Sequence, residues 1–211
     1  MMNPLIELAK KIKDKDLRKK VIDFLNDPKL SNKYFKKYSM EKLDHAGSLF
    51  VIPTSGLGPV ERDLINHTMA LTKMCIEVAR MFKENYGLEL NVDSLIAGSI
   101  LHDLMKAYEY KRDKKGELEP TGIMLDHTIL GVAELYARDF PEDVIHIVAS
   151  HPGEAGTTPP RSFEAVVFHH LDSMCSVVEY YLKGKQKLEE KIKLLTEEEL
   201  KRLGEEPEEF E

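Results

Sequence analysis

The chain has 211 residues, of which 42% are hydrophobic and 32% charged, and a formal net charge of −7. This length buries a real core within one domain, and the composition excludes a disordered class. The acidic balance sets no field that attracts phosphate, so an anionic substrate must be held by cations placed locally.

In chain order, nearly every segment reads as helix. Residues 4–26 carry Leu5, Leu8, Ile12, Leu17, Val21 and Phe24 at helical spacing, and Asn26-Asp27-Pro28 ends the run. The opening M-M-N-P-L-I-E-L-A-K-K-I-K is charged too early for a signal peptide, so the expected compartment is the cytoplasm. Gly47, Pro53, Gly56, Gly58 and Pro59 make residues 40–60 a loop, with a short extended piece at 49–52. A long helix is predicted over 61–86, stopped by Gly87, and a second over 94–107, capped by Asp93. Residues 111–122, with Gly116 and Pro120, read as a turn or short hairpin. Helices follow at 127–138, 141–150 and 162–184, and H-P-G-E-A-G-T-T-P-P-R interrupts the last two. The segment from 185 onward is a Lys- and Glu-rich tail with helical character. No apolar run approaches the roughly 20 residues of a membrane span. Cys75 and Cys175 lie far apart with no C-x-x-C pair, which excludes a disulfide scaffold and a zinc finger.

Six polar residues interrupt apolar stripes or stand at helix ends. His102 and Asp103 sit side by side in I-L-H-D-L-M-K-A-Y-E-Y. His67 lies on the stripe of Leu64, Leu71 and Cys75, and Asp172 on that of Ala165, Phe168 and Cys175. His127 opens a helix and His151 closes one. A buried carboxylate without partners costs several kcal/mol. Any one of these is compatible with a hydrogen-bonded core group, but together they are metal-ligand types drawn from five elements. Imidazole with carboxylate suits Fe, Mn, Co, Ni or Zn. Asp103, following a histidine, is the candidate to bridge two ions, which can grip a phosphate and activate a water.

The order His67, His102-Asp103, His127, His151, Asp172 resembles that of the HD-domain metal-dependent phosphohydrolases. The segments L-I-N-H-T-M, T-G-I-M-L-D-H-T-I-L-G, I-V-A-S-H-P-G-E and F-E-A-V-V-F-H-H-L-D-S-M are similar to the HD portion of bacterial 3′→5′ exoribonucleases. They are also similar to archaeal HD phosphodiesterases that open a 2′,3′-cyclic phosphate on a pterin. The likeness spans about residues 60–180. It implies an all-α HD-domain helical bundle with a short hairpin or lid loop. The HD domain would occupy 61–184, with an N-terminal helix and loop packed on it at 1–60 and a charged tail at 185–211. It also implies one ion held by His67, His102, Asp103 and Asp172, and a second held by His127, His151 and the bridging Asp103. The expected ions are divalent, Fe or Mn first, with Zn, Ni, Co or Mg as alternatives. Lys106 matches the family's lysine after the HD pair and, with Arg161, is expected to bind substrate phosphate. Two departures stand out: Met105 where the family commonly has Gly, and His151-Pro152-Gly153 where the exoribonucleases carry two histidines.

The activity implied is a phosphodiesterase acting on a small nucleotide-like or cyclic phosphodiester through a metal-activated water, with Asp103 and Lys106 in the catalytic roles. Alternatives are a 3′→5′ exonuclease on short RNA or DNA, a 5′-nucleotidase and a non-catalytic nucleotide-sensing module. The first sixty residues show no nucleic-acid-binding barrel, which favours a small phosphate ester over a polymer. His169 is a candidate hydrogen-bond partner of the site. Arg62 is a second candidate for substrate phosphate beside its default reading as a surface charge, and the basic cluster Lys111, Arg112, Lys114 and Lys115 reads as a solvated turn or a guide for an anion.

Overall fold

A computed structural model describes residues 4–52 and 55–204, with side-chain surroundings given to residue 194. Seven helices are present among them: α1 (Pro4–Ala9), α2 (Lys15–Asn26), α3 (Leu64–Tyr86), α4 (Val92–Leu101), α5 (His127–Ala137), α6 (Glu142–Ser150) and α7 (Phe163–Gly204). Two antiparallel hairpins accompany them, β1 (Gly47–Phe50) with β2 (Val60–Asp63) and β3 (Tyr110–Arg112) with β4 (Leu118–Pro120). The all-α architecture expected from the periodicity is what the chain adopts.

Helix α4 organises the bundle. Residues Ser94 to Leu101 are all buried, as befits a helix apolar on every side. On one side Ile96, Ile100 and Leu101 pack with Leu5, Ile12, Val21 and Phe24 of the N-terminal segment and with Leu130 and Val148 of α5 and α6. On the other, Leu95 joins Leu71 and Cys75 of α3, Ile147 of α6 and Phe168 of α7. Gly98 permits the close crossing of α4 and α6, because a Cβ there would lie 2.5 Å from Ile147 Cγ2. Whatever leaves the C-terminus of α4 therefore enters the centre of the molecule.

Several boundaries differ from the periodicity. The predicted 4–26 helix is two helices. The carboxylate of Asp93 accepts the Lys13 and Asp14 backbone N–H groups (2.9 and 2.8 Å), and Asp14 caps α2 through Leu17 N–H. Asp93 is thus a partner of the α1–α2 turn, and Asn91 caps α4. Helix α4 stops at Leu101 and continues as a 3-10 turn over Leu104–Tyr108. Residues 60–63 are strand, and α3 begins at Leu64 with Asp63 as its cap. Gly87, at φ 65°, ends α3 as expected. Helix α7 runs on to Gly204 without a break at 184. The remainder of the tail, 205–211, lies outside the described residues. The loop between β1 and β2 is docked on α7: Tyr180 donates to Gly58 O at 2.7 Å, and Leu57 packs against Gly184.

Candidate metal centre

Five elements deliver the six polar residues to one place. His67 comes from the first turns of α3, His102 caps the C-terminus of α4, and Asp103 opens the turn that follows. Asp103 adopts φ −104° and ψ 2°, so it is not part of the helix; the chain turns there and aims the carboxylate across the end of α4. His127 is the first residue of α5, His151 follows the last residue of α6, and Asp172 projects from α7. They form two groups whose ligand atoms lie within 4.8 Å of one another: His67, His102 and Asp172, then Asp103, His127 and His151.

Asp103 stands between the groups. Its Oδ2 is 3.4 Å from His102 Nε2, while its Oδ1 is 3.3 Å from His127 Nε2 and 3.8 Å from His151 Nε2. Asp172 Oδ1 is 3.1 Å from His67 Nε2 and 4.0 Å from His102 Nε2.

Every imidazole is tethered by its far nitrogen. His102 Nδ1 donates to Ser99 O (2.8 Å) and His151 Nδ1 to Val148 O (2.7 Å). His67 Nδ1 donates to Glu179 (3.0 Å), and His127 Nδ1 to Glu109 (3.0 Å). Carbonyls and carboxylates only accept, so the proton sits on Nδ1 and the four Nε2 lone pairs point inward. Across the centre, lone pair then faces lone pair, as for His127 and His151 with Nε2 atoms 3.4 Å apart. His67 Nε2, His102 Nε2, Asp103 Oδ1 and Asp172 Oδ1 are buried with no hydrogen-bond partner. Positive charge satisfies such an array, as a proton on an imidazole facing a carboxylate or as a metal ion, and the donor set, imidazole nitrogen with carboxylate oxygen, fits a divalent transition metal.

Burial opposes charge on Asp103, but His102 and Lys106 outweigh it and hold its carboxyl well below the ordinary range. Burial likewise opposes ionisation of Asp172, and contact with His67 overrides it, so its pKa is lowered too. His67 and His127 are raised despite burial, by the carboxylates of Asp172 with Glu179 and of Asp103 with Glu109. His151, buried and facing His102, is pushed down to about 3 and stays neutral.

Lys106 lies at the rim, its side chain 15% exposed and its Nζ 2.8 Å from Asp103 Oδ2. Arg161 is exposed, and its backbone N–H donates to His146; among the described residues its bonds do not reach the six. His169 approaches from behind, its Nδ1 donating to His151 O at 2.8 Å. Arg62 corrects the surface reading. It is buried, with Nη1 3.6 Å from Asp103 Oδ2, Nε 3.1 Å from Glu179 and Nη2 donating to Ser176 at 2.7 Å. Its guanidinium also stacks 4.3 Å from the centre of the Phe50 ring. Sequence reasoning missed Glu109 and Glu179. Glu179 follows Asp172 by two helical turns on the same face, a spacing that could have found it; Glu109 sits beyond a turn and gave no periodic signal.

The chain resembles known proteins over the segment that carries these residues. The family model for the HD domain matches residues 64–201. The dihydroneopterin 2′,3′-cyclic phosphate phosphodiesterase of Methanocaldococcus jannaschii is 42% identical over 178 residues, which cover 84% of this chain and 70% of that protein. The 3′-5′ exoribonuclease YhaM of a Geobacillus species is 23% identical over 180 residues, covering 77% of this chain and 52% of that protein. YhaM of Bacillus subtilis is 27% identical over 150 residues, covering 66% and 45%. The chain thus spans about half the length of these exoribonucleases. No solved structure matches it.

Proposed function

Because the chain belongs to the HD domain family and is a metal-dependent phosphodiesterase, we propose that its substrate is a small 2′,3′-cyclic phosphodiester on a pterin- or nucleoside-like group. Water adds to phosphorus, one ring P–O bond breaks, and a monoester is the product. The observation that carries this reading is Asp103, with one carboxylate oxygen turned to each group of imidazoles. Its support is the 42% identity to a cyclic phosphate phosphodiesterase over most of the chain.

In this reading His67, His102, Asp172 and Asp103 would hold one divalent ion, and His127, His151 and Asp103 would hold a second, Fe or Mn in preference. Such ions supply an activated water and Lewis acidity toward the phosphoryl oxygens. The chain's own groups do the rest. Asp103 fixes the spacing of the two halves. Glu179, Glu109 and the carbonyls of Ser99 and Val148 hold each ring in the tautomer that offers Nε2. Lys106, at the rim, carries the positive charge nearest to solvent and binds a non-bridging phosphate oxygen. Arg161 contributes to phosphate binding only if the 152–161 segment closes over the substrate.

The test uses protein stripped of metal and re-supplied with Mn or Fe(II). A chromogenic phosphodiester and its matching monoester are compared first, then nucleoside 2′,3′-cyclic phosphates and short RNA. Metal-dependent opening of the cyclic phosphate, faster than cleavage of RNA, is the expected result. Processive shortening of RNA from its 3′ end would replace this reading with an exonuclease. Cleavage of the monoester alone would replace it with a nucleotidase.

A further inference from the structure

Helix α7 has two faces of opposite character. The inner face carries Ala165, Phe168, Asp172, Cys175 and Glu179 into the core and the metal centre. The outer face, half a turn away, presents Phe163, Val166, Met174, Val177, Tyr181 and Leu188, each between 40% and 65% exposed. Val178 and Ile192 widen and lengthen the same stripe, at 61% and 54% exposure. Spaced by threes and fours, with His170 and Lys185 filling the two gaps, these positions line a single side of the helix over more than seven turns.

Half-exposed side chains of this size leave on the order of 100 Å² each to solvent, so the stripe offers about 800 Å² of largely apolar surface. A soluble monomer's largest apolar patch is usually about 300–600 Å². About 800 Å² is what each partner contributes to a standard-sized protein interface.

We infer that the outer face of α7 is a self-association surface, on which a second copy of this chain packs through its own α7 in antiparallel orientation. Three observations select this occupant. The stripe is long and apolar around its middle, at Met174, Val177, Val178 and Tyr181, where a two-fold pairing of identical helices buries it on both chains. The exposed area is of the order that each partner gives to a standard interface. The charge distribution sets the direction: in the C-terminal half Lys185 sits within the stripe itself and Lys191 on its flank. A parallel pair would set this basic stretch against its own copy, whereas an antiparallel pair sets it against the other chain's N-terminal half. No helix among the described residues is long and apolar enough to cross a membrane, so the stripe is not a span. The pairing leaves the metal centre open, since Asp172 and Glu179 face the other way. The inference is independent of the substrate.

Sedimentation equilibrium of the full chain is the test. The expected mass is twice the 24.2 kDa of one chain. Val177→Glu combined with Tyr181→Glu is expected to give the single-chain mass with an unchanged far-ultraviolet helical spectrum. Tyr86→Glu, an exposed apolar position outside the stripe, should leave the dimer intact. Should the double variant fail to fold, single cysteines decide. Val178→Cys, near the middle of the stripe, is expected to form an inter-chain disulfide on oxidation, and Phe163→Cys at its end is not. A wild-type chain that sediments as a monomer overturns the inference. So does a dimer that survives the double substitution, or one in which Phe163→Cys cross-links and Val178→Cys does not.

Discussion

Asp103 is 1% exposed and meets His102, His127, His151, Lys106 and Arg62 with its two oxygens. On the proposed assignment it belongs to both ions, so neutralising it without changing its shape should empty both halves. Asp103→Asn is expected to lose both metals by elemental analysis and to lower phosphodiester turnover by about a thousandfold or more, with helical content retained. Retention of metal with activity would remove Asp103 from the centre. Glu109 acts one step back: it accepts His127 Nδ1–H and also the His127 backbone N–H at 2.7 Å. In Glu109→Gln the amide oxygen still accepts, but the charge that makes the ring a better donor is gone. Metal affinity should fall roughly 10–100-fold in a competition titration, with turnover restored by excess metal. An unchanged affinity would reduce Glu109 to a helix cap.

At the scale of elements, two glycines set how closely the ligand-bearing segments approach. Gly153 has φ 57°, and a Cβ on it would fall 2.1 Å from the His169 ring, whose Nδ1 holds His151 O. Gly153→Ala should therefore displace the carbonyl end of His151, costing about 1–3 kcal/mol in thermal unfolding together with metal affinity. Gly98→Ala presses instead on Ile147 and forces α4 from α6. It should cost a similar ~1–3 kcal/mol, and adding Ile147→Ala should relieve part of that loss in a double-mutant cycle. Strict additivity would show that the crossing is not tight. The same scale explains what the sequence made legible. Periodicity located the helices because burial follows 3.6-residue spacing, and the six polar residues stood out against it. The break at residues 10–14 was hidden because its cause, Asp93, lies some eighty residues away. Arg62 was hidden because two-residue alternation over 60–63 is too short to register. Once β2 is known to be a strand, Arg62 must share the inner face with Val60.

For the molecule as a whole, the two cysteines report on cohesion. Burial pushes the Cys75 thiol up to about 12 and Cys175 up to about 11, from an ordinary value of 9.0. As pH rises past 9 the unfolded chain releases these protons first and the native chain keeps them, so native stability declines until the folded thiols ionise. Each thiol contributes a slope of up to about 1.4 kcal/mol per pH unit. Urea unfolding at pH 8 and pH 10 should show a smaller loss in Cys75→Ala than in the parent; equal losses would mean that Cys75 is not held protonated. A last consequence follows from the four tethered rings. Inside the centre, the scaffold pins lone pairs against one another. The fold thus gathers opposed lone pairs at one point, where the hydrogen bonds that tether each ring impose them. A bound cation would complete the molecule as a keystone completes an arch, set by the stones on either side of it.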